Sequence, residues 1–330
     1  MPILAALVIA IAIAFSLPDA QAAGPIVIKY NHVVPAGTPK GQAADIFAKL
    51  ANERLAGKVK VEVFPSAQLF EEDSAFQALL LGDVQITAPV TSKVARYTKK
   101  LQVWDLPFLF DSREAANRFE QSPVGKKLLD SMLDKGFKGL AYGREGMRSI
   151  LSKKLLRRPG DMAGVKIRIM ESDVLEAQYR AINAVPQKMA FSELYNALET
   201  GVVDACESNW ASFYGAKFYE AAKYFIGMNV AASEYVLLTN AKFWNGLPAD
   251  IRTQLEAILA EAMKEEYRLD AEQEVTDKEK IMKMGLNEFV TVTPQEVAAW
   301  REAMKPVWKQ FEAEIGKDII DAALASNIPR

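Results

Sequence analysis

The chain has 330 residues, half of them apolar, with 40 basic and 42 acidic side chains, one histidine and one cysteine. So even a charge balance excludes the basic face that a broad grip on nucleic acid needs. His32 alone leaves almost no room for a zinc site, a histidine triad or a two-histidine protease motif, and Cys206 alone allows no internal disulfide.

Residues 3–17 form an apolar run without a charged side chain. At roughly 1.5 Å rise per residue it is too short for a hydrocarbon core of about 30 Å. Pro18 ends it, and Ala20-Gln21-Ala22 places small side chains where a signal peptidase needs them. The pattern predicts a secretory signal peptide over residues 1–22, cleaved after Ala22. The alternative is a buried N-terminal helix. Only Met1 and Pro2 precede the run, and the basic segment expected there would put the true start codon upstream. Removing residues 1–22 takes away Asp19 alone, which leaves 40 basic and 41 acidic residues. About 300 remaining residues suggest two domains.

Residues 26–30 read as a strand. Thr38 is a candidate N-cap with Pro39 at the first helical position, and Ala43, Ile46, Phe47 and Leu50 recur at helical spacing up to Gly57. Val59, Val61 and Val63 alternate into a second strand. A helix over 71–81 stops at Gly82, before a strand over 84–88. This β-α-β-α-β order calls for a mainly parallel sheet.

The stretch between Trp104 and Asp111 is expected to carry a crossing to a second unit. Strands are expected over 139–142, 149–152 and 164–170, then a helix over 174–182. Another helix over 191–200 precedes a strand over 202–206. Two α/β units in series predict two lobes with a cleft outside the carboxyl ends of the strands. Residues 249–284 contain no Gly or Pro and favour helix throughout. One helix of that length would reach about 50 Å and brace both lobes; two helices broken near Asp270 are the alternative. Further helices are expected over 294–330.

The motifs G-x-S-x-G, G-x-G-x-x-G and G-x-x-x-x-G-K-[ST] are all absent, which argues against an enzyme and against a nucleotide or other cofactor. No catalytic or metal-ligating residue is singled out. In Gly164-Val165-Lys166-Ile167-Arg168-Ile169-Met170, Val165, Ile167 and Ile169 share one strand face, while Lys166, Arg168 and Met170 share the other. A cation near the end of a covered strand needs a partner. Two partners are open on spacing alone: an internal Asp or Glu, or a ligand carboxylate meeting the guanidinium fork.

Longer blocks carry a resemblance. Ile28-Lys29-Tyr30-Asn31-His32-Val33-Val34, Thr38-Pro39-Lys40-Gly41 and Val61-Glu62-Val63-Phe64-Pro65-Ser66-Ala67-Gln68-Leu69 are similar to four-carbon dicarboxylate binders. The block from Gly164 through Met189-Ala190-Phe191-Ser192-Glu193-Leu194-Tyr195, Leu198-Glu199-Thr200-Gly201-Val202-Val203-Asp204 and Lys217-Phe218-Tyr219-Glu220 is the most specific. The chain resembles a solute-binding protein of the tripartite ATP-independent periplasmic (TRAP) transporters, of the DctP type.

That resemblance implies an α/β, two-lobed periplasmic-binding-protein fold, each lobe a mixed sheet flanked by helices. It implies lobe I from residues 23–145 plus 234–273, and lobe II from 146–233 plus 274–330. It makes Arg168 the clamp for a ligand carboxylate and Arg148 a second ligand-facing arginine. Phe191 would line the pocket, Glu72 would face the ligand from lobe I, and Tyr235 matches a tyrosine of the dicarboxylate binders. Ser208 stands where an asparagine is usual, with Asn209 one place on. Trp210, Phe213 and Tyr214 then form an aromatic run, either hinge packing or a stacking wall for a sugar or aromatic acid. His32 is placed on the ligand side or on a backbone carbonyl, and Lys40 is either solvated or reaches a second carboxylate. The implied function is a periplasmic receptor that captures a small organic acid and passes it to TRAP membrane permease subunits. Four-carbon dicarboxylates are the first candidates, uronic or aromatic keto acids the alternative, and a sensory receptor another.

Overall fold

The computed structural model describes residues 24–327; the expected signal peptide lies outside them. Strand β1 (Ile26–Asn31) leads to helix α1 (Pro39–Arg54), β2 (Val59–Phe64), α2 (Glu72–Leu81) and β3 (Ile86–Thr87). The Thr38 hydroxyl accepts from the Gly41 amide and Pro39 opens α1, so a local capping signal fixes where that helix begins. Gly82 takes φ 87° and closes α2 in the left-handed conformation that glycine adopts without strain. Next come α3 (Arg113–Gln121), α4 (Pro123–Leu128) and the long strand β4 (Phe137–Met147).

A second run follows: β5 (Ser149–Ser152), β6 (Lys166–Ile169), α5 (Asp173–Ala181), β7 (Val185–Lys188), α6 (Leu194–Glu199), β8 (Ala205–Ser208), α7 (Trp210–Gly215) and β9 (Tyr224–Ile226). The chain then returns through β10 (Ala232–Asn240) and α8 (Ala241–Gly246) to helix α9 (Ala249–Met284). It ends with β11 (Glu288–Val290), α10 (Pro294–Met304), α11 (Pro306–Ile315) and α12 (Lys317–Ala325).

Two mixed sheets result. The first has strand order β2-β1-β3-β10-β4, with β1 parallel to β2 and β3, and β10 antiparallel to β3 and β4. The second has order β11-β9-β5-β8-β6-β7, with β5 antiparallel to both its neighbours and β6 parallel to both of its own. Arg148 alone separates β4 of the first sheet from β5 of the second. The return passes through residues 227–231, and the two passages are bonded to each other: the Arg148 amide donates to Ala231 O at 2.8 Å, and the Val230 amide to Arg148 O at 2.8 Å.

The stretch Trp104 to Asp111 is therefore not a crossing. It is a short helical turn and loop whose Trp104, Leu106, Leu109 and Phe110 fill the core of the first sheet. Phe108 alone reaches the second core, beside Ile150, Ile167 and Ile226. Apolar side chains on both sides of the loop hold it against one core, leaving the crossing to the extended strands.

Helix α9 is continuous over 36 residues, which at 1.5 Å per residue spans about 54 Å. Ile251, Leu255 and Ile258 pack in the core of the first sheet, and Ile281 packs in a cluster of the second. Between them the helix buries charge. Glu266 accepts from the Arg144 amide at 2.9 Å, and Asp270 pairs with Arg113, so α9 is pinned to β4 and α3 beside the passage between sheets. Helices α11 and α12 return to the first core through Val307, Phe311, Ile315 and Ile319.

Candidate functional site

Between the sheets lies a small cavity of about 30 Å³, walled by residues of both. Each charged group in its wall has a distinct electrostatic situation, and that difference defines the site.

Arg168 sits on β6 between Ile167 and Ile169, whose side chains are fully buried in the core. Arg168 is 4% exposed and lines the cavity. Nε and Nη2 both donate to the Met189 carbonyl, at 3.1 and 2.9 Å. Among the described residues no carboxylate forms an ion pair with it. Burial pulls its pKa down, only partly offset by more distant acids. Cys206, its partner across β8, offers no anion, because burial pushes that thiol up to about 12. Of the two partners the sequence left open, the internal acid is absent.

Arg148 lines the same cavity, but two internal acids hold its terminal nitrogens. It donates to Glu207 Oε1 at 3.1 Å, Asp105 Oδ1 at 3.1 Å and Trp104 O at 3.2 Å. Burial would lower its pKa, but Glu207 and Asp105 outweigh burial and raise it. The Tyr179 hydroxyl donates to Glu207 at 2.6 Å, and the Ser92 hydroxyl to Asp105 at 2.6 Å. The second arginine is thus neutralised inside the protein.

Lys40, in the first turn of α1, is 1% exposed and not solvated. Its ammonium lies 3.3 Å from Glu145 Oε1 and 4.6 Å above the Tyr235 ring, while the Ser233 hydroxyl donates to the other oxygen of Glu145 at 3.1 Å. Tyr235 is wholly buried beneath Lys40, outside the cavity wall. Its ring fits only because residue 143 is glycine: a Cβ there would lie 2.0 Å from Tyr235 Cζ. Glu72 reaches the cavity from the start of α2, and its Oε1 accepts from the Val90 amide at 3.2 Å.

Phe191 and Ser208 also line the cavity. Asn209 does not: its side-chain oxygen accepts from the Ser212 amide at 2.8 Å and caps α7. Trp210 lies outside the wall as well, stacked on Phe289 at 5.9 Å and packed against Phe213 and Phe225. Tyr214 stacks on Tyr219. The aromatic run is core packing of the second sheet, which leaves Phe191 as the aromatic ring in the cavity wall. His32 is 1% exposed, edge-on to Tyr30 and outside the wall. Burial, with Lys40 nearby, lowers its pKa to about 3 and keeps it neutral.

Sequence reasoning missed Glu145, Glu207, Ser212 and Ser233 in the wall, and Asp105 behind it. Glu145 lies 105 residues from Lys40, and Asp105 43 from Arg148, so no local spacing could reveal either pair.

The chain matches the family described as bacterial extracellular solute-binding protein, family 7, over residues 30–314. It is 47% identical over 305 residues to the C4-dicarboxylate-binding periplasmic protein DctP of Shewanella loihica, covering 92% of this chain and 91% of that one. A TRAP periplasmic solute-binding protein from Shewanella oneidensis, solved with bound succinate, superposes with a TM-score of 0.91 at 44% identity, over 92% of this chain and 100% of that one. One from Pseudomonas aeruginosa with bound L-malate gives a TM-score of 0.85 at 40% identity, over 87% and 100%.

Proposed function

The chain belongs to the bacterial extracellular solute-binding protein family 7, and we propose that its cleft captures a four-carbon dicarboxylate in the periplasm for delivery to a TRAP membrane permease. The observation that carries this reading is Arg168, a buried guanidinium that faces a cavity and lacks an ion-pair partner among the described residues. An unpaired buried cation is costly. A ligand carboxylate meeting its planar fork removes that cost and supplies charge-assisted bonds. Relatives solved with succinate and L-malate support the four-carbon class. Arg148, Phe191, Ser208, Glu72 and Lys40 complete the wall that the ligand would touch.

The chain is read as a receptor, not an enzyme. Its relatives are solute-binding proteins, and the arginines of the cleft are suited to holding anions. No helix among the described residues is long and apolar enough to cross a membrane. Packing of Trp210, Phe213 and Tyr214 away from the cavity removes the stacking wall that would favour a uronic or aromatic acid.

The test is a thermal-shift screen over four-carbon dicarboxylates, uronates, aromatic acids and neutral sugars. A ligand at a thousand times its dissociation constant stabilises by about 4 kcal/mol, a readily measured shift. Shifts from succinate, malate or fumarate are expected. A response confined to neutral sugars would overturn the carboxylate reading.

A further inference from the structure

We propose that a dicarboxylate enters this cleft together with one proton, which resides on the Glu72 carboxyl in the closed complex; the proposal rests on the carboxylate reading above. The charges in the cavity wall do not balance those of a dianion. The cations are Lys40, Arg148 and Arg168, and the acids are Glu72, Glu145 and Glu207, with Asp105 directly behind Arg148. Arg148 is taken by Asp105 and Glu207, and Lys40 by Glu145. What remains is Arg168 against Glu72, beside the one surplus negative charge of the Arg148 group. A dianion would bring two negative charges to a site with one uncommitted cation and one uncommitted acid. Buried charge of one sign is relieved by neutralising the group that gives up least.

Glu72 is that group. Glu145 and Glu207 each hold a cation, whereas Glu72 has no ion pair among the described residues, only the Val90 amide on Oε1. The charges around it come from every packed element. Lys40 of α1 faces it but is bonded to Glu145, and Lys93 faces it but donates to Asp73 at 2.7 Å. Glu145 of β4 repels it, and Arg168 of β6 lies across the cleft. Just before its helix, Glu71 accepts from Ser192, and on the helix Asp73 is held by Lys93 and Arg96. Burial, its largest influence, already pushes the Glu72 pKa up. A ligand carboxylate acts in the same direction and turns Glu72 into a donor that bonds it. The proton comes from solvent on capture and returns to it on release.

Titration calorimetry with fumarate or succinate decides this. It is run in buffers of different ionisation heat between about pH 7 and 9, where the free acid carries both charges. Wild type is expected to take up a proton count that rises with pH toward about one per ligand, with Kd rising toward about tenfold per pH unit. Glu72→Gln can still donate but cannot titrate, and both effects should vanish in it. Binding by wild type with no proton uptake across the range overturns the proposal, as does full uptake in a folded Glu72→Gln variant. If Glu72→Gln fails to fold, the wild-type proton count alone decides. Absence of binding by any dicarboxylate would instead strike the carboxylate reading on which the proposal rests.

Discussion

Arg148 donates to Glu207 at 3.1 Å with both side chains almost fully buried, and the pair lies at the point where the chain passes from one sheet to the other. Asp105 binds the same guanidinium. Removing the arginine leaves two carboxylates in the interior without their cation. Arg148→Ala is expected to destabilise the ligand-free protein by about 3–5 kcal/mol. Arg168→Ala, which strands no acid, should leave ligand-free stability unchanged or higher. Urea unfolding of both variants without ligand checks the contrast, and equal losses would remove it.

For binding, the order reverses. Arg168→Ala should cost about 1.5–3 kcal/mol for each charge-assisted bond lost, roughly ten- to a hundredfold per bond in Kd. Arg168→Lys keeps the charge but loses the planar fork, so binding should weaken by an intermediate amount. Calorimetric titration of the folded variants measures both; unchanged affinity in either would count against Arg168 as the clamp.

What the sequence made legible was local. Thr38 before Pro39 marked the start of α1, Gly82 the end of α2, and an unbroken run of helix-favouring residues gave α9 its full length. The strand expected over 202–206 instead occupies Ala205–Ser208, because pairing of Ser149 with Ser208 sets its ends. The helix expected over 191–200 shortens to Leu194–Glu199, which leaves Phe191 outside it in the cavity wall. Arg168 and Arg148 carried the same residue type and the same resemblance. Only the fold separates the free cation from the neutralised one, because Asp105 and Glu207 come from distant parts of the chain.

Contacts across the mouth of the cleft predict closure on the ligand. The Ser192 hydroxyl donates to Glu71 at 2.7 Å, Arg96 to Glu171 at 2.8 Å and Lys99 to Asp173 at 2.5 Å. Two strand passages form a hinge, and a ligand touching both walls shifts the population toward the closed form. Small-angle scattering should show a smaller radius of gyration with saturating ligand. Arg96 and Glu171 are 42% and 43% exposed, so Arg96→Ala should weaken binding by no more than about 1 kcal/mol. A larger loss would mean that the clasp, not the ligand, drives closure.

His32 should make the protein acid-sensitive. Burial, then Lys40, lowers its pKa from the ordinary 6.5 to about 3. Between those values the unfolded chain binds a proton that the native protein refuses, so stability rises with pH there. The contribution is fully present above about pH 6.5 and is lost as the pH falls, by about 1.4 kcal/mol per pH unit. His32→Phe should flatten the dependence of unfolding free energy on pH by about one proton between pH 6 and 4. Parallel slopes for variant and wild type would show that His32 is charged in the native state.

Gly143 connects backbone packing to the cleft. It pairs with Tyr235 across β4 and β10, and the tyrosine ring occupies the space where a side chain at residue 143 would stand. The ring carries Lys40 above it at 4.6 Å, and Lys40 in turn meets Glu145 in the cavity wall. Gly143→Ala forces the ring to move, since its nearest atom would lie 2.0 Å from the new Cβ. Overpacking of this kind costs about 1–3 kcal/mol. Displacement of Tyr235 also removes the support under Lys40, so affinity should fall along with stability although no cavity-lining residue has changed. Urea unfolding and calorimetric titration of Gly143→Ala measure the two losses. A stability loss with unchanged affinity would mean that Lys40 holds its position through Glu145 alone. In that case Tyr235→Leu, which relieves the clash, should restore stability to Gly143→Ala and leave binding as it was.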